Sequence, residues 1–194
     1  MNPCARGAEP PLLQKHAAGI TRRHLQKRGE FKWPRREKQS LRCVVLDALR
    51  GMTQNRCSYC DAYPITSASR EHIDHFRPKA LFPERVCEWE NLFLSCSACN
   101  EEKSEKWDEA LLRPDAPDFS FERYFNYRFD TGNLEPNPAA KQEEQQRARA
   151  TIEIFKLNRE GACSARKKEA RAMKDALHDD FGYRFLLPLC RDFS

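Results

Sequence analysis

CSYC at residues 57–60, EHIDHFRPK at 71–79 and NLFLSCSACNEEK at 91–103 follow one another in the chain, and their order decides how it is read. Each Cys-x-x-Cys turn offers two thiolates from one tight loop, and a structural zinc site takes four soft ligands at tetrahedral corners. Cys57, Cys60, Cys96 and Cys99 therefore predict one Zn²⁺ ion joining two knuckles. Ordinary buried cysteines are the bland alternative, since free cysteine is among the most buried residue types. Two such pairs at 57/60 and 96/99 speak against it. A disulfide framework fits worse. The nine cysteines are an odd number, Cys4, Cys43, Cys87, Cys163 and Cys190 stand singly, and no apolar run suited to secretion opens the chain. The expectation is a cytoplasmic protein with reduced thiols.

Between the knuckles, Ile73-Asp74-His75-Phe76 alternates as a strand does, which sends Asp74 and His75 to opposite faces unless the backbone bends there. A carboxylate is a hard ligand suited to Mg²⁺, and a neutral imidazole beside it is suited to taking a proton from water. Asn100 follows Cys99 directly. If Cys99 opens a helix, the Asn100 amide oxygen leaves its first turn and can reach the ion that Asp74 holds. An Asp-His pair alone says little; framed by both knuckles it points to metal-assisted hydrolysis. A rubredoxin-like iron on the four cysteines would leave Asp74, His75 and Asn100 without a task.

The order Cys-x-x-Cys, [Ile/Val]-Asp-His-x-x-Pro, Asn-Leu, Cys-x-x-Cys-Asn resembles the HNH (ββα-metal) endonuclease family in its zinc-bound form. The resemblance implies Asp74 as metal ligand, His75 as general base, Asn91 as the middle asparagine that holds the hairpin loop, and Asn100, in place of His, at the last position. Residues HFRPK at 75–79, Trp89-x-Asn-Leu92, LLRPDAPDFSFERYF at 111–125 and the later Gly-Asn-Leu-x-Pro are similar to PtuB-type HNH proteins. These proteins are paired with an ATPase, PtuA, in Septu and some retron anti-phage systems. This likeness runs from about Cys57 to Arg159, and more loosely to Arg6-Gly-x-Glu-Pro. One departure is Asp74, where many relatives carry Glu; either carboxylate binds Mg²⁺ or Mn²⁺. The implied activity is hydrolysis of phosphodiester bonds, in DNA ahead of RNA, with an ATPase as partner. Arg77, Lys79 and Lys103 lie close in sequence to the site and are expected to contact phosphates, with a solvated charged face as the alternative. His72 shares a strand face with Asp74 and reads as a support or as an approach to the phosphate.

Composition frames this site. The chain has 194 residues and a net charge of +5, with a mean hydropathy of -0.83. No run approaches the roughly 18 apolar residues of a membrane span, so no membrane association is expected. From Lys15 to Arg42 there are ten Lys/Arg against two Glu, a net of +8. Such clustering suits a phosphate backbone, because counterion release rewards concentrated positive charge; docking on an acidic partner is the other reading.

The fold class expected is α+β: a zinc-stapled ββα-metal core flanked by α-helices and mostly helical outside it. Residues 1–33 read as a basic arm, extended or partly ordered. Residues 34–107 read as a helix from Pro34, with Leu41, Val45, Leu49 and Met52 at helical spacing, followed by the nuclease core. Residues 108–194 read as a hairpin-like insert and C-terminal helices. In this last part Phe125, Tyr127 and Phe129 alternate ahead of Asp130-Thr-Gly-Asn, and Asn137-Pro138 reads as the start of a helix reaching Asn158. A second helix is expected from Ser164 to Phe181 with Ala170, Met173, Leu177 and Phe181 in register, and an apolar tail at Phe185-Leu-Leu-Pro-Leu either closes the core or docks a partner. Against the nuclease stands one other class, a non-catalytic zinc module that binds nucleic acid or protein.

Overall fold

The computed structural model of the chain describes residues 1–27, 29–65, 70–175 and 182–191. Among these residues there are seven α-helices and three antiparallel two-stranded ladders, a mixed α+β chain in which helix dominates outside the metal core. No helix among them is long and apolar enough to cross a membrane.

The N-terminal arm departs from expectation. Pro11–Lys27 is a helix, α1, with Leu13 and Ile20 buried and Leu12 and Ala17 packed beside them. Spacings of three and four residues place these apolar groups on one stripe, which the density of Lys and Arg obscures in the sequence. The helix expected from Pro34 begins later. Strands β1 (Arg35–Arg36) and β2 (Gln39–Ser40) first form a small hairpin whose two turn residues, Glu37 and Lys38, both have positive φ, at 48° and 66°. Such two-residue hairpins normally carry Asn or Gly in these places, so the sequence gives no turn signal. Lys15 donates to Glu37 at 2.5 Å, tying the hairpin to α1. Helix α2 (Leu41–Thr53) follows, burying Leu41, Val45 and Leu49 at four-residue intervals and ending on Gln54 in the left-handed region.

Strands β3 (Glu71–His75) and β4 (Leu92–Cys96) pair antiparallel, with Asp74 opposite Phe93 and His75 opposite Leu92. Every residue of β4 is buried, because α2 and the first knuckle cover it. The Ser58 amide donates to the Leu94 carbonyl at 2.9 Å, which seats that knuckle on the strand. Helix α3 (Ser97–Lys103) then stops at Ser104, whose φ of 46° cannot continue a helix.

Beyond the core, α4 (Phe121–Tyr124) runs into β5 (Phe125–Tyr127), which pairs with β6 (Leu134–Pro136). The helix expected from Pro138 starts at Gln142 instead and ends at Ile154 (α5). Asn137 caps a turn, its carboxamide oxygen accepting from the Ala139 amide, and Glu144 accepts from the Lys141 amide to begin the helix. Helix α6 spans Glu160–Asp175, with Ala170 and Met173 buried; Leu177 and Phe181 lie outside the described residues. Helix α7 (Leu186–Arg191) closes the described chain. Phe185 and Leu186 are buried, with Phe185 stacked on Phe121 at 4.2 Å, so this tail completes the protein's own core.

One hydrophobic cluster runs from Met1 through β4 to Cys190, so the three sequence segments share a core. Arg6 shows why the N-terminus is held. Its guanidinium donates to Asp115 at 2.8 Å and to the Trp89 and Leu92 carbonyls, and lies over the Phe93 ring at 4.4 Å. On the opposite flank Tyr59 stacks on Phe155 at 3.9 Å, joining the knuckle to the end of α5; burying such a ring contributes about 1.5–3 kcal/mol.

Gly132, in the β5–β6 turn, has φ +80°, and a Cβ there would meet the Cys163 carbonyl oxygen at 2.4 Å. Its own carbonyl accepts from the buried Arg166 on α6, so the turn cannot move aside. Gly132→Ala is expected to lower stability by roughly 1–3 kcal/mol, read as a shift in urea midpoint. An unchanged midpoint would mean that the hairpin does not pack on α6.

Candidate active site

The two knuckles bring four sulfurs together. The Sγ atoms of Cys57, Cys60, Cys96 and Cys99 all lie within 4.8 Å of one another, and all four residues are buried. Cys60 and Cys96 are 3.8 Å apart, which matches the edge of about 3.8 Å that a tetrahedron with Zn–S bonds of about 2.3 Å requires. The cluster can hold one zinc ion. Hydrogen bonds from Cys57, then Cys96 and Cys99, pull the Cys60 thiol well below its ordinary range, while the same neighbourhood pushes Cys99 up. Arg159, just after α5, points its guanidinium at Cys99 Sγ, 3.7 Å away. Burial opposes its charge, but the neighbouring sulfurs of Cys99, Cys60 and Cys96 outweigh that and hold the guanidinium above its ordinary range. With zinc on the four cysteines the centre would be dianionic, and this cation would offset that charge.

Helix α3 begins at the metal cluster, and its register does the rest. Asn100, Lys103 and Ser104 are three and four residues apart and share one face, which turns toward β3. Asp74, His75 and Asn100 line one pocket of about 320 Å³, with His72, Pro78, Lys79, Ser104 and Glu105 around it. Asp74 and His75 thus serve the same pocket although they are strand neighbours, His75 being the last residue of β3 before the chain turns.

Asp74 is 5% exposed and fully engaged. Its Oδ2 accepts from the Tyr59 hydroxyl at 2.5 Å and its Oδ1 from Lys103 Nζ at 3.2 Å. Burial, then the charge of Asp74, holds the Tyr59 phenol well above its ordinary value, so it stays a neutral donor. Each carboxylate oxygen has two lone pairs, which leaves Asp74 room for a cation in the pocket beside Asn100.

His75 Nε2 lies 3.0 Å from the Val86 carbonyl oxygen. A carbonyl only accepts, so Nε2 carries the hydrogen. Burial pushes the imidazole down to about 4; near neutral pH the ring is uncharged and Nδ1 keeps a free lone pair. Phe31 meets the ring edge-on at 5.8 Å and Trp33 lies nearly parallel to it at 6.3 Å. Asn91 is buried and locks the intervening loop: its Oδ1 accepts from the Arg77 amide at 2.7 Å, and its Nδ2 donates to the Arg77 and Arg85 carbonyls.

The expected phosphate contacts divide. Lys79 is exposed at the pocket rim. Arg77 lies over the Trp107 and Phe82 rings, at 5.4 and 5.6 Å. Lys103 must be corrected: it is 0% exposed and bound to Asp74 and, at 2.6 Å, to the His75 carbonyl, so it is an internal counter-ion. His72 sits beside Ser97 Oγ at 3.2 Å. Sequence reasoning missed Tyr59, the Val86 carbonyl, Glu105 and the Phe31–Trp33 cover. Lys103 was legible as three residues beyond Asn100, and Tyr59 as an aromatic inside the knuckle.

Residues 57–106, which hold both knuckles and the pocket residues, match the model of a family described as HNH endonuclease. Over 153 residues, 77% of this chain and 51% of the relative, the chain is 26% identical to the Septu protein PtuB of Bacillus thuringiensis. It is also 26% identical over 159 residues, 66% of this chain and 51% of the relative, to the Septu protein PtuB of Bacillus mycoides (strain KBAB4). The chain therefore spans about half the length of these curated relatives.

Two outcomes follow from the site's chemistry. Binding free energy at a structural zinc site, on the order of 10 kcal/mol, is folding free energy, so Cys60→Ser should lose both the metal, read by elemental analysis, and the cooperative thermal transition. A variant that keeps both would overturn the four-cysteine site. His75 governs a pH dependence: unfolded, it binds a proton at 6.5, and folded only near 4. Between these values the unfolded chain holds the extra proton, so stability falls as pH drops, by up to about 1.4 kcal/mol per unit. His75→Gln should flatten that slope in urea titrations between pH 6.5 and about pH 5; equal slopes in the two proteins would refute the buried neutral imidazole.

Proposed function

We propose that the chain is a metal-dependent endonuclease that hydrolyses phosphodiester bonds of nucleic acid, DNA ahead of RNA, and acts in the cytoplasm as the nuclease member of an anti-phage complex with an ATPase. The observation that carries the reading is the uncharged His75, its Nε2 hydrogen committed to Val86 and its Nδ1 lone pair free, in one pocket with Asp74 and Asn100. The match of residues 57–106 to HNH endonucleases supports it. The ATPase rests on the likeness to Septu PtuB proteins and on the pairing of PtuB-type proteins with one.

Asp74 and Asn100 are the residues to hold a divalent ion. A carboxylate and an amide oxygen are hard donors suited to Mg²⁺ or Mn²⁺, and two protein ligands leave positions for water and phosphate. Bound there, such an ion supplies charge stabilisation to the phosphate and the leaving oxygen. His75 Nδ1 removes a proton from the attacking water, and the Val86 carbonyl holds the Nε2 hydrogen so that Nδ1 stays the acceptor. Asn91 keeps the loop behind His75 in place. Lys103 and Tyr59 fix the carboxylate's orientation, and Lys79 at the rim meets the phosphate backbone. Zinc on the cysteines has a structural part only.

The test is cleavage of plasmid DNA and of RNA with Mg²⁺ or Mn²⁺, with and without a PtuA-type ATPase. His75→Ala should lose the 10²–10⁴-fold, roughly, that a general base contributes, and Asn100→Ala should lose activity that excess Mn²⁺ partly restores. Zinc content and thermal transition should stay unchanged in both. A His75→Ala protein that cleaves like wild type would remove the assignment, and a wild type inert under all these conditions would favour a non-catalytic zinc module.

A further inference from the structure

Between α1 and the segment from Gly29 to Arg36 lies a cleft of about 400 Å³. Arg23 and Lys27, four residues apart on α1, form one wall, and Lys32 and Arg36 come from the other. Phe31, with the largely buried Ile20, supplies apolar surface in the same cleft, and Glu30 lines it as well, 3.9 Å from Lys32. Basic residues in the last turn of a helix are commonly explained by the helix dipole. That accounts for His24 and Lys27, but not for Lys32 and Arg36, which arrive from a separate stretch of chain and converge on the same space.

The cleft also adjoins the active site. Phe31 lines it and meets the His75 ring at 5.8 Å. A neighbouring hollow is lined by Phe31, His24 and Lys79, and Lys79 also lines the pocket of Asp74 and Asn100. Shared lining residues link the three: Lys79 joins the pocket to the neighbouring hollow, and His24, Glu30 and Phe31 join that hollow to the cleft. Electrostatics point the same way: residues 15–42 carry a net of +8 in a chain of +5, so the remainder is net −3.

We propose that this cleft binds the sugar-phosphate and base of a single nucleic-acid strand next to the scissile phosphate. Phosphates pair with Arg23, Lys27, Lys32 and Arg36, and a base lies against Phe31. Positive grooves with aromatic groups along them are how single strands are held without sequence readout. The inference deepens the nuclease reading and rests on it for the position of the scissile phosphate.

The experiment measures binding, not cleavage, so that the two can fail separately. Fluorescein-labelled single-stranded DNA and RNA oligonucleotides are titrated, by anisotropy over a range of NaCl concentrations, into full-length His75→Ala protein and into the same protein with Arg23→Ala/Lys27→Ala. Both α1 residues are exposed, and an unchanged thermal transition checks the fold. Each phosphate contact contributes about 0.7–0.9 to the slope of log affinity against log salt. The double variant should bind about tenfold more weakly or worse, with its slope smaller by about 1.4–1.8. Lys32→Ala/Arg36→Ala on the opposite wall should act in the same direction. Unchanged affinity and slope in both double variants would overturn the cleft while leaving wild-type cleavage, and with it the nuclease reading, untouched. A loss of binding seen only with a polyglutamate peptide would overturn it in favour of an acidic protein segment.

Discussion

Four sulfurs drawn to within 4.8 Å of one another fix the rest of the molecule. The cluster joins a knuckle that precedes β3 to the first turn of α3, and in doing so sets the rotation of that helix. Because Cys99 is committed to the cluster, Asn100 and Lys103 have no choice of face; their side chains must look toward β3. The geometry of the cysteine cluster thus decides where the amide and the ammonium stand relative to Asp74. Arg159 and the Tyr59–Phe155 stack carry the same constraint outward to α5, which explains why residues far from the pocket share one core with it.

The core of this arrangement was legible in the sequence for a physical reason. Metal ligands obey strict spacing, so paired Cys-x-x-Cys motifs report geometry directly, whereas strand alternation sends Asp74 and His75 to opposite faces and only the end of β3 at His75 brings both to one pocket. Packing does not report itself in that way. Helix α1 was hidden because its apolar stripe of Leu13, Ala17 and Ile20 is sparse and embedded in cations, and β1–β2 because Glu37 and Lys38 occupy positive-φ positions without Asn or Gly. The start of α5 moved to Gln142 because Asn137 uses its carboxamide on a turn two residues on, a competing local bond that an Asn-Pro pair cannot distinguish from a cap.

Lys103 shows the limit most clearly. Counted by sequence distance from the site it is one more surface cation, whereas its helical register buries it completely. A buried ion pair adds little net stability, since desolvation consumes most of the Coulombic gain. What it does add is direction. With Lys103 on Oδ1 and Tyr59 on Oδ2, the Asp74 carboxylate has one orientation, and the same ammonium grips the His75 carbonyl, fixing the backbone between the two side chains.

The environment of His75 completes the logic. The role proposed for His75 requires a ring that is uncharged yet keeps one nitrogen free, and burial alone would give the first without the second, because a buried imidazole with no partner could place its hydrogen on either nitrogen. The Val86 carbonyl removes that freedom. Its position depends in turn on Asn91, which holds the Arg77 and Arg85 carbonyls on either side of the loop that delivers Val86. The rings of Phe31 and Trp33, contributed by a segment outside the paired-cysteine motifs, then limit water at the imidazole. On the proposed reading, the substrate strand enters beside these rings, so the same surface that keeps the base neutral also borders the path of the phosphate it serves.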